Sequence, residues 1–571
     1  MSDDRRGQTG DARPDDAGEG AADLAAEIAA MELPVDPTGI PNLDLVLGGG
    51  LRRGSLMLLV GPPGSGKTTL AAQMAFASAA AGRRVLILAT LSEPVSKLLQ
   101  HLSTYQFFDE SLVGDRLRVH SLQQFLPAGL ASTGREIAEI VRAEHASLAV
   151  LDGFRSVRDA DGSPQLARQF LYDLGTALSL QGATTLITTE GEVHDRAFYQ
   201  EATTADVIVG LEAARDNVRS IRWTEVVKSR GAAPLTGLHG LTLGQAGGAV
   251  HPRLETRIAL KAPAGHSLPD PGVGEGRAAF GQPELDAILG GGLARATTTL
   301  VIGGLGTGKT LLGLHFALAG AGAGEPTVYL SFRENEDQLL RKADSFDLGQ
   351  RLRAALTPGG GLTLIRRAAV ELDIDLLADE LLAALDRSGA RRLVIDSIAE
   401  WERAVGEGSD PRRVPNHLAA LVEALQARGV TALLIREGMP PVAEPDVPPS
   451  DPLSAVVENV VWLHQILQGQ RSHRVLSVPK LRFEPADATR YEFVIASPDG
   501  LRVVGPFRSD HGVLEAIAEE EEGSPFGVPS SGSLGDRVAG PADQPGGITS
   551  DIAGDQTTPD VASDDATQGD L

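Results

Sequence analysis

Two glycine-rich segments of the chain have the spacing of a loop that binds nucleotide phosphates. They read GPPGSGKT, starting at Gly61, and GGLGTGKT, starting at Gly303, and both satisfy G-x-x-x-x-G-K-[ST]. Glycine permits the tight turn in which backbone N–H groups close around phosphate oxygens at a helix N-terminus. We therefore expect Lys67 and Lys309 to reach the β- and γ-phosphates of ATP. The predicted ATP-binding residues are Gly61, Pro62, Pro63, Gly64, Ser65, Gly66, Lys67, Thr68 and Thr69 in the first loop, and Gly303, Gly304, Leu305, Gly306, Thr307, Gly308, Lys309, Thr310 and Leu311 in the second.

Each loop is also accompanied by the residues of a predicted magnesium site. The hydroxyl that follows the loop lysine, on Thr68 or Thr310, is a Mg²⁺ ligand in loops of this kind. An aspartate ends a later apolar run in each case, namely Asp152 in LAVLD and Asp396 in LVID, 85 and 87 residues beyond the loop lysines. A carboxylate at the C-terminal end of a strand points into the crevice where nucleotides bind, and there it can hold Mg²⁺ through water. The expected cofactors are ATP and Mg²⁺.

The elements that position these residues occur twice in the chain. The segment NLDLVLGGGLRRGSLMLLVGPPGSGKTTL, from Asn42, is echoed by ELDAILGGGLARATTTLVIGGLGTGKTLL, from Glu284, at a constant offset of 242 residues. In both copies, short and nearly continuous apolar runs alternate with helical segments such as TTLAAQMAFASAAAG and HLAALVEALQARG. This pattern predicts an α/β fold of two tandem P-loop domains, each a mainly parallel sheet flanked by helices.

The formal charge of −25 is concentrated at the two ends of the chain. Residues 1–33 carry −6 and residues 511–571 carry −12, which leaves about −7 for the rest. Both ends are rich in Asp, Gly, Ser, Pro and Ala, a composition typical of disordered segments. We predict an acidic disordered tail over 1–33, a first domain over 34–252, a linker over 253–278, a second domain over 279–506 and an acidic disordered tail over 507–571.

The composition also limits the partners of the protein. The acidic tails serve either solubility or an unidentified protein partner, and nucleic-acid binding is not expected because phosphate contacts need a basic face. No apolar run approaches the roughly 20 residues that span a bilayer, so no membrane contact is expected. The chain has no cysteine, which fits a reducing compartment. We expect a cytoplasmic protein.

The motifs taken together resemble the KaiC family of double-domain clock ATPases and its relatives in the RecA superfamily. The resemblance rests on the paired LGGG…GKT blocks, the two Asp-ended strands and the later KSRG and KLRF segments, and it covers roughly residues 38–505. It implies a RecA-like fold in each half and Mg-ATP as the ligand. It also implies a homohexameric double ring in which neighbouring subunits hold the nucleotide between them.

In the KaiC family, a K-x-R motif on a late strand reaches the γ-phosphate of the neighbouring subunit. The resemblance places this motif at Lys228 and Arg230, and again at Lys480 and Arg482. Such cations offset the charge that develops during phosphoryl transfer. Only seven of the 51 basic residues are lysines, so a lysine retained here marks a place that arginine does not serve. The alternative is a solvated strand edge, where lysine is common.

The same family carries two adjacent glutamates after the second strand, and the first of them is the base for the attacking water. Aligning TLSEP with SFREN puts Ser92 and Arg333 at the first position and Glu93 and Glu334 at the second. Neither a serine hydroxyl nor a guanidinium accepts a proton usefully at neutral pH. We therefore predict slow ATP hydrolysis in which Glu93 and Glu334 are the catalytic carboxylates, displaced by one position.

The clock proteins also phosphorylate themselves on an adjacent Ser-Thr pair in the second domain. In SDPLSAVVENVVWL, Ser454 matches the serine, and Ala455 stands in place of the threonine. The resemblance thus implies one phosphoacceptor, Ser454, and a Ser/Thr autokinase activity beside the ATPase. The alternative is an ordinary helix or loop serine.

Three classes of function are compatible with these patterns. The leading one is a KaiC-like ATPase with a signalling or regulatory role. The second is a nucleotide-gated scaffold with little turnover, which Ser92 and Arg333 favour, whereas Lys228 and Lys480 favour retained chemistry. The third is a RecA- or RadA-like DNA-dependent ATPase, which shares the fold but needs a basic channel.

Overall fold

The computed structural model of the protein describes most of the chain between Pro34 and Arg508. Both predicted acidic tails lie outside the described residues, apart from 507–508. Among the described residues, no helix combines the length and the apolar composition needed to cross a bilayer. The described segments are 34–89, 95–161, 164–195, 203–216, 219–261, 276–407, 411–438, 452–468, 470–482 and 489–508.

The first repeat contains eleven strands and seven α-helices among its described residues. The strands are β1 (Val35–Asp36), β2 (Leu51–Arg52), β3 (Leu56–Gly61), β4 (Val85–Ala89), β5 (Leu117–Ser121), β6 (Leu148–Asp152), β7 (Thr184–Glu190), β8 (Val207–Asp216), β9 (Arg219–Ser229), β10 (His239–Gly244) and β11 (Gly247–His251). The helices are α1 (Leu43–Leu47), α2 (Lys67–Ala80), α3 (Val95–Leu102), α4 (Leu130–Glu144), α5 (Phe154–Asp161), α6 (Pro164–Leu180) and α7 (Leu254–Lys261).

The second repeat has the same number of described strands and eight described α-helices. The strands are β12 (Arg277–Ala278), β13 (Leu293–Ala294), β14 (Thr298–Gly303), β15 (Thr327–Ser331), β16 (Leu362–Arg366), β17 (Arg392–Asp396), β18 (Thr431–Glu437), β19 (Asn459–Gln468), β20 (Arg471–Leu481), β21 (Tyr491–Ala496) and β22 (Gly500–Pro506). The helices are α8 (Pro283–Ile288), α9 (Lys309–Gly322), α10 (Glu336–Asp344), α11 (Gly349–Leu356), α12 (Ile374–Ser388), α13 (Ile398–Glu407), α14 (Arg413–Gln426) and α15 (Pro452–Val456).

Each repeat forms its own nine-stranded sheet, and the two sheets have the same strand order. The strand order is β11-β10-β9-β8-β3-β7-β6-β4-β5 in the first repeat and β22-β21-β20-β19-β14-β18-β17-β15-β16 in the second. In each sheet the six strands from β8 to β5, or from β19 to β16, are parallel, and the other three extend the sheet in antiparallel pairing. The identical order confirms the duplication that the sequence predicts.

The parallel strands are apolar at nearly every position because both faces of each sheet are covered by helices. All six residues of β3 are buried. Since neighbouring residues of a strand point to opposite faces, Met57 and Leu59 join one core cluster and Leu58 and Val60 join another. The predicted α/β fold, with two tandem RecA-like domains, is confirmed.

Parallel pairing brings the carboxyl ends of several strands to one edge of each sheet. In the first repeat, Gly61 lies opposite Glu190 in the register of β3 and β7, and Ala89 lies opposite Asp152 in the register of β4 and β6. The phosphate loop and two carboxylates therefore meet at this edge. The equivalent pairs in the second repeat are Gly303 with Glu437 and Ser331 with Asp396.

Helix α7 occupies the beginning of the predicted linker and attaches the first repeat to the second. Arg413, at the start of α14, lies with its Nε 2.5 Å from Oε1 of Glu255 on α7. The same guanidinium donates from Nη1 to Oδ2 of Asp375 on α12, at 3.2 Å. His417, which is fully buried, has its Nδ1 3.4 Å from Oε2 of Glu255. Residues 262–275 of the predicted linker lie outside the described residues.

Candidate nucleotide-binding sites

The first phosphate loop connects β3 to α2 in the conformation that the glycine spacing predicts. Gly64 and Gly66 have φ angles of 75° and 104°, in the left-handed region that favours glycine, and helix α2 begins directly afterwards at Lys67. The ammonium of Lys67 donates to the backbone carbonyls of Gly61 and Pro62, at 2.9 and 2.8 Å. The side chain thus lies over the loop, where the phosphates of a nucleotide would bind.

The second loop repeats this arrangement between β14 and α9. Gly306 and Gly308 have φ angles of 72° and 92°, and Lys309 donates to the carbonyl of Gly304 at 2.7 Å. A Cβ atom at Gly308 would lie 2.7 Å from Cδ1 of Ile495, so the position is both strained and crowded for any other residue. A cavity of about 470 Å³ opens above this loop.

Burial lowers the pKa of both loop lysines. It lowers the pKa of Lys67, while the neighbouring carboxylates of Glu190 and Asp152 act in the opposite direction. Burial likewise lowers the pKa of Lys309, and Glu437 and Asp396 oppose the effect. A partly desolvated ammonium gains most from a multiply charged anion, because their attraction is weakly screened there.

In the first repeat, the predicted metal ligands lie in direct contact. The hydroxyl of Thr68 donates to Oδ2 of Asp152 at 3.0 Å. Thr188, on the adjacent β7, donates to the other carboxylate oxygen at 2.6 Å and accepts the N–H of Gly153 at 2.8 Å. Asp152 is only 7 % exposed. The loop hydroxyl and the strand-end carboxylate are therefore held together as one oxygen-ligand set.

The second repeat satisfies its aspartate with a different neighbour. Thr310 donates to Oδ2 of Asp396 at 2.8 Å, and the buried hydroxyl of Tyr329 donates to the same oxygen at 3.1 Å. Burial raises the pKa of Asp396, although both hydrogen bonds favour its charged form. Tyr329 on β15 occupies the position equivalent to Ile87 on β4, and Ile435 on β18 occupies the position equivalent to Thr188 on β7. The hydrogen bond to the strand-end aspartate therefore comes from β7, on one side of the strand, in the first repeat and from β15, on the other side, in the second.

These oxygen ligands fit Mg²⁺. The ion prefers carboxylate, hydroxyl and water oxygens and is bound in nucleotide sites by one or two protein groups together with phosphates. Thr68 with Asp152, and Thr310 with Asp396, supply such groups beside each loop. When bound, the ion would neutralise phosphate charge at that position.

A carboxylate at the end of the strand beside each loop was not predicted from the sequence. Glu190 ends β7 and accepts from Nη1 of Arg155 at 2.7 Å. Glu437 ends β18 and accepts from Nη1 of Arg333 at 2.9 Å. A signal was available, because TTLITTE and TALLIRE both end in a glutamate two or three residues after the last apolar residue of a strand-like run. Each loop therefore has an arginine–glutamate pair at its side.

The structure places Arg333 and Glu334 in the second cavity together with Lys309 and Asp396. Arg333 donates from Nε to Oε1 of Glu400 on α13, at 2.8 Å. Glu334 pairs through Oε1 with Lys342 on α10. Its Oε2 is buried and has no hydrogen-bond partner among the described residues. Glu400 and Lys342 are further site residues that the sequence reasoning did not assign.

The corresponding residues of the first repeat, Ser92 and Glu93, lie outside the described residues. Between the same two flanking elements, the second repeat is one residue shorter than the first. The strands β4 and β15 are offset by 242 residues, whereas the buried residues of the next helices, Leu98 and Leu102 on α3 against Leu339 and Ala343 on α10, are offset by 241. The one-residue difference therefore falls between them in the sequence, in residues 90–94 against 332–335. The equivalence of Ser92 with Arg333 stays a prediction.

Comparison with known proteins assigns both repeats to one family. The family described as "ATPase: KaiC" matches residues 36–255 and 279–507, one match in each repeat. This chain belongs to the KaiC family of ATPases. It is 24 % identical to the circadian clock protein KaiC3 of Synechocystis, over 84 % of this chain and 93 % of that protein. It is 25 % identical to the circadian clock oscillator protein KaiC of Prochlorococcus marinus, over 66 % and 74 %.

The K-x-R residues of this KaiC-family chain lie far from their own phosphate loops. Lys228 pairs with Ile208, near the amino end of β8, and donates to the carbonyl of Thr203 at 3.2 Å. Arg230 follows it and lies 3.4 Å from Asp206. The phosphate loop starts at the carboxyl end of β3, which runs parallel to β8. The motif is therefore at the opposite end of the sheet.

The second KaiC-type repeat shows the same separation. Lys480 pairs with Val460 at the amino end of β19 and donates to the carbonyl of Val457 at 2.7 Å. Nη1 of Arg482 lies 3.5 Å from the buried Oε1 of Glu458. Ser454, on the short helix α15, is half-buried, and its carbonyl accepts from Lys480 at 3.0 Å. The predicted phosphoacceptor thus lies beside the K-x-R motif and away from its own loop.

Proposed function

We propose that this KaiC-family protein is a slow ATPase that binds Mg-ATP in both halves, at the subunit interfaces of a homohexamer. The observation that carries the proposal is the position of Arg230 and Arg482. Across the sheet, Arg230 lies at the height of Leu56, the first residue of β3. The first loop glycine, Gly61, is five residues further along β3, so roughly 17 Å of strand separates the two positions. A cation there serves phosphoryl transfer only in the site of a neighbouring subunit, and a closed head-to-tail ring supplies such neighbours.

In this proposal, the two ends of each domain have complementary roles. At one end, Lys67 and Lys309 bind phosphate, and Thr68 with Asp152 or Thr310 with Asp396 holds Mg²⁺. At the other end, Arg230 and Arg482, whose side chains are 59 % and 61 % exposed, would reach the next subunit. Hydrolysis then requires a carboxylate that orients water, and Glu93 and Glu334 are the proposed residues. Glu334 has an unpartnered buried oxygen, Oε2, in the cavity, which supports this role.

A mixing experiment tests the shared site. One chain carries Lys67→Ala and Lys309→Ala, and the other carries Arg230→Ala and Arg482→Ala. We expect each chain alone to lose turnover, and a co-assembled equal mixture to recover about one quarter of wild-type activity, because random assembly pairs intact halves at that frequency. Mixed oligomers that form without any recovery of turnover would show that the sites are not shared. Mass measurement with and without ATP reports the oligomeric state.

A second candidate function is favoured by one residue of the second cavity. Arg333 stands beside the phosphate loop where a base is expected, and its guanidinium cannot accept a proton. The second half would then act as a nucleotide-gated scaffold that binds ATP for assembly, with turnover confined to the first half. Single-turnover measurements on chains with only one intact loop lysine separate the two functions.

Autophosphorylation of Ser454 belongs to the same proposal. Its carbonyl accepts from Lys480 at 3.0 Å, so it lies at the end of the domain that is proposed to meet an adjacent nucleotide. Incubation with ATP followed by phosphopeptide mapping tests this, with Ser454→Ala as the control. A Ser454 that stays unmodified in assembled protein would remove the autokinase activity from the proposal.

A further inference from the structure

The second nucleotide cavity contains a guanidinium that has free access to the cavity space. Arg333 lines the same cavity as Lys309 and Thr310, and its side chain is 60 % exposed. Arg392 gives a useful contrast within the same repeat, because its side chain is only 3 % exposed and serves the interior of the fold. Arg333 is therefore placed to meet a ligand.

Two carboxylates orient this guanidinium without using all its donors. Nε donates to Glu400 at 2.8 Å, and Nη1 donates to Glu437 at 2.9 Å. Nη2 has no hydrogen-bond partner among the described residues. An arginine has five N–H donors in a fixed plane, so the remaining donors can bind an anion while both ion pairs persist. Glu437 lies opposite Gly303, which brings the guanidinium beside the phosphate loop.

Arg333 shifts the charge balance of the cavity in favour of an anion. Three cations line it, and three carboxylates balance them, before any nucleotide is bound. Arg333 lies within electrostatic range of the loop lysine, since it adds to the effect of burial in lowering the pKa of Lys309. A glutamate at position 333 would leave two cations against four carboxylates and would oppose a triphosphate. The cations are Lys309, Arg333 and Lys342, and the carboxylates are Glu334, Asp396 and Glu437.

We propose that Arg333 is a ligand of the γ-phosphate of ATP within its own subunit, and that it makes the second site selective for ATP over ADP. The inference rests on the proposed function, in which the second loop binds Mg-ATP. A guanidinium held by two carboxylates gives charge-assisted hydrogen bonds to phosphate oxygens and cannot activate water. Arg333, in place of the family's first glutamate, thus makes this a position that retains the triphosphate and no longer one that promotes its hydrolysis.

Equilibrium binding to the full-length chain tests the inference. Lys67→Ala is used as the background so that binding reports the second site, and Lys67→Ala with Lys309→Ala gives the baseline. The probes are the non-hydrolysable analogue AMP-PNP and ADP, both with Mg²⁺. We expect Arg333→Gln to raise the Kd for AMP-PNP roughly ten- to one-hundredfold, the effect of losing a charge-assisted hydrogen bond. The Kd for ADP is expected to stay within about threefold, which also shows that the cavity is intact.

Two further variants sharpen the test. Arg333→Lys keeps the charge and loses the planar fork, so we expect an intermediate Kd for AMP-PNP. Arg353→Gln removes another exposed arginine of the same repeat, one that pairs with Asp344, and is expected to change neither affinity. Equal weakening of both nucleotides by Arg333→Gln, or no weakening, would overturn the γ-phosphate role while the nucleotide site itself stands. A Lys67→Ala chain that binds neither probe would instead refute the proposed second site.

Discussion

The hydroxyl of Thr310 donates a hydrogen bond of 2.8 Å to the carboxylate of Asp396, although 86 residues separate them in the chain. The contact joins the first turn of α9 to the end of β17. It reproduces the contact between Thr68 and Asp152 in the other repeat. This pairing of a loop hydroxyl with a strand-end carboxylate leads to the first prediction.

Removing either member of the pair is expected to weaken the use of Mg²⁺ at the second site. In the Lys67→Ala background, Asp396→Asn should raise the Mg²⁺ concentration needed for half-maximal AMP-PNP binding about tenfold or more, since an ionic oxygen contact is lost. Thr310→Val should act in the same direction. Thr363→Val, at an exposed strand position of the same repeat, is the matched control. An unchanged Mg²⁺ dependence would exclude these residues as metal ligands.

The second prediction concerns the glutamates that are displaced by one position, Glu93 and Glu334. Glu334→Gln keeps the size of the side chain and removes its basicity, so we expect ATP turnover from the second half to fall by about 10²-fold or more, within the usual range for a general base. Glu93→Gln should do the same for the first half. Each variant is measured with the other half silenced at its loop lysine. Turnover equal to that of the parent chain would remove both residues from the mechanism.

The third prediction concerns Arg413, which pairs with carboxylates of both repeats. Arg413→Met keeps the length of the side chain but leaves Glu255 and the buried Asp375 without their common cation. We expect the free energy of unfolding to fall by about 3 to 5 kcal/mol, the typical cost of leaving a buried charge unpaired. Urea titration measures the change.

An exposed ion pair of the same repeat provides the control for Arg413. Arg403 lies 3.7 Å from Glu407 one turn along α13, with both side chains more than half exposed. Arg403→Met should lower the free energy of unfolding by less than about 1 kcal/mol. Similar losses for both variants would mean that the contact between the repeats contributes nothing special to stability.

A buried histidine makes the fourth prediction, a pH dependence. Burial lowers the pKa of His315 from 6.5 to about 4, and its Nε2 accepts the N–H of Leu501 at 3.3 Å. Between these two values the unfolded chain binds a proton that the folded chain does not, so stability rises with pH. Acidification through this window should cost the folded state about 3 kcal/mol from this group alone.

The His315→Gln variant isolates that contribution. Glutamine has no titrating group, so we expect the free energy of unfolding to depend less steeply on pH between 7 and 5 than in the parent chain. A His315→Gln protein whose stability follows pH as the parent does would show that this imidazole titrates normally.

The sequence by itself determined the duplicated α/β fold and predicted the components of each candidate nucleotide site. A phosphate loop is encoded by glycine and lysine spacing within eight residues, and a buried parallel strand by a short apolar run. Such local patterns fix backbone geometry at the place where they occur, which is why the sequence could predict Lys67, Lys309, Asp152 and Asp396 as candidate site residues.

Only the tertiary structure decided which residues surround those components. Strand order brings Glu190 and Glu437 beside the loops, supports Asp152 with Thr188 but Asp396 with Tyr329, and moves the K-x-R cations to the opposite end of the sheet. The partners of Arg333 come from α13 and β18, which lie 67 and 104 residues further along the chain. Contacts of this kind depend on the register and crossing of distant elements, and no local spacing in the chain encodes them.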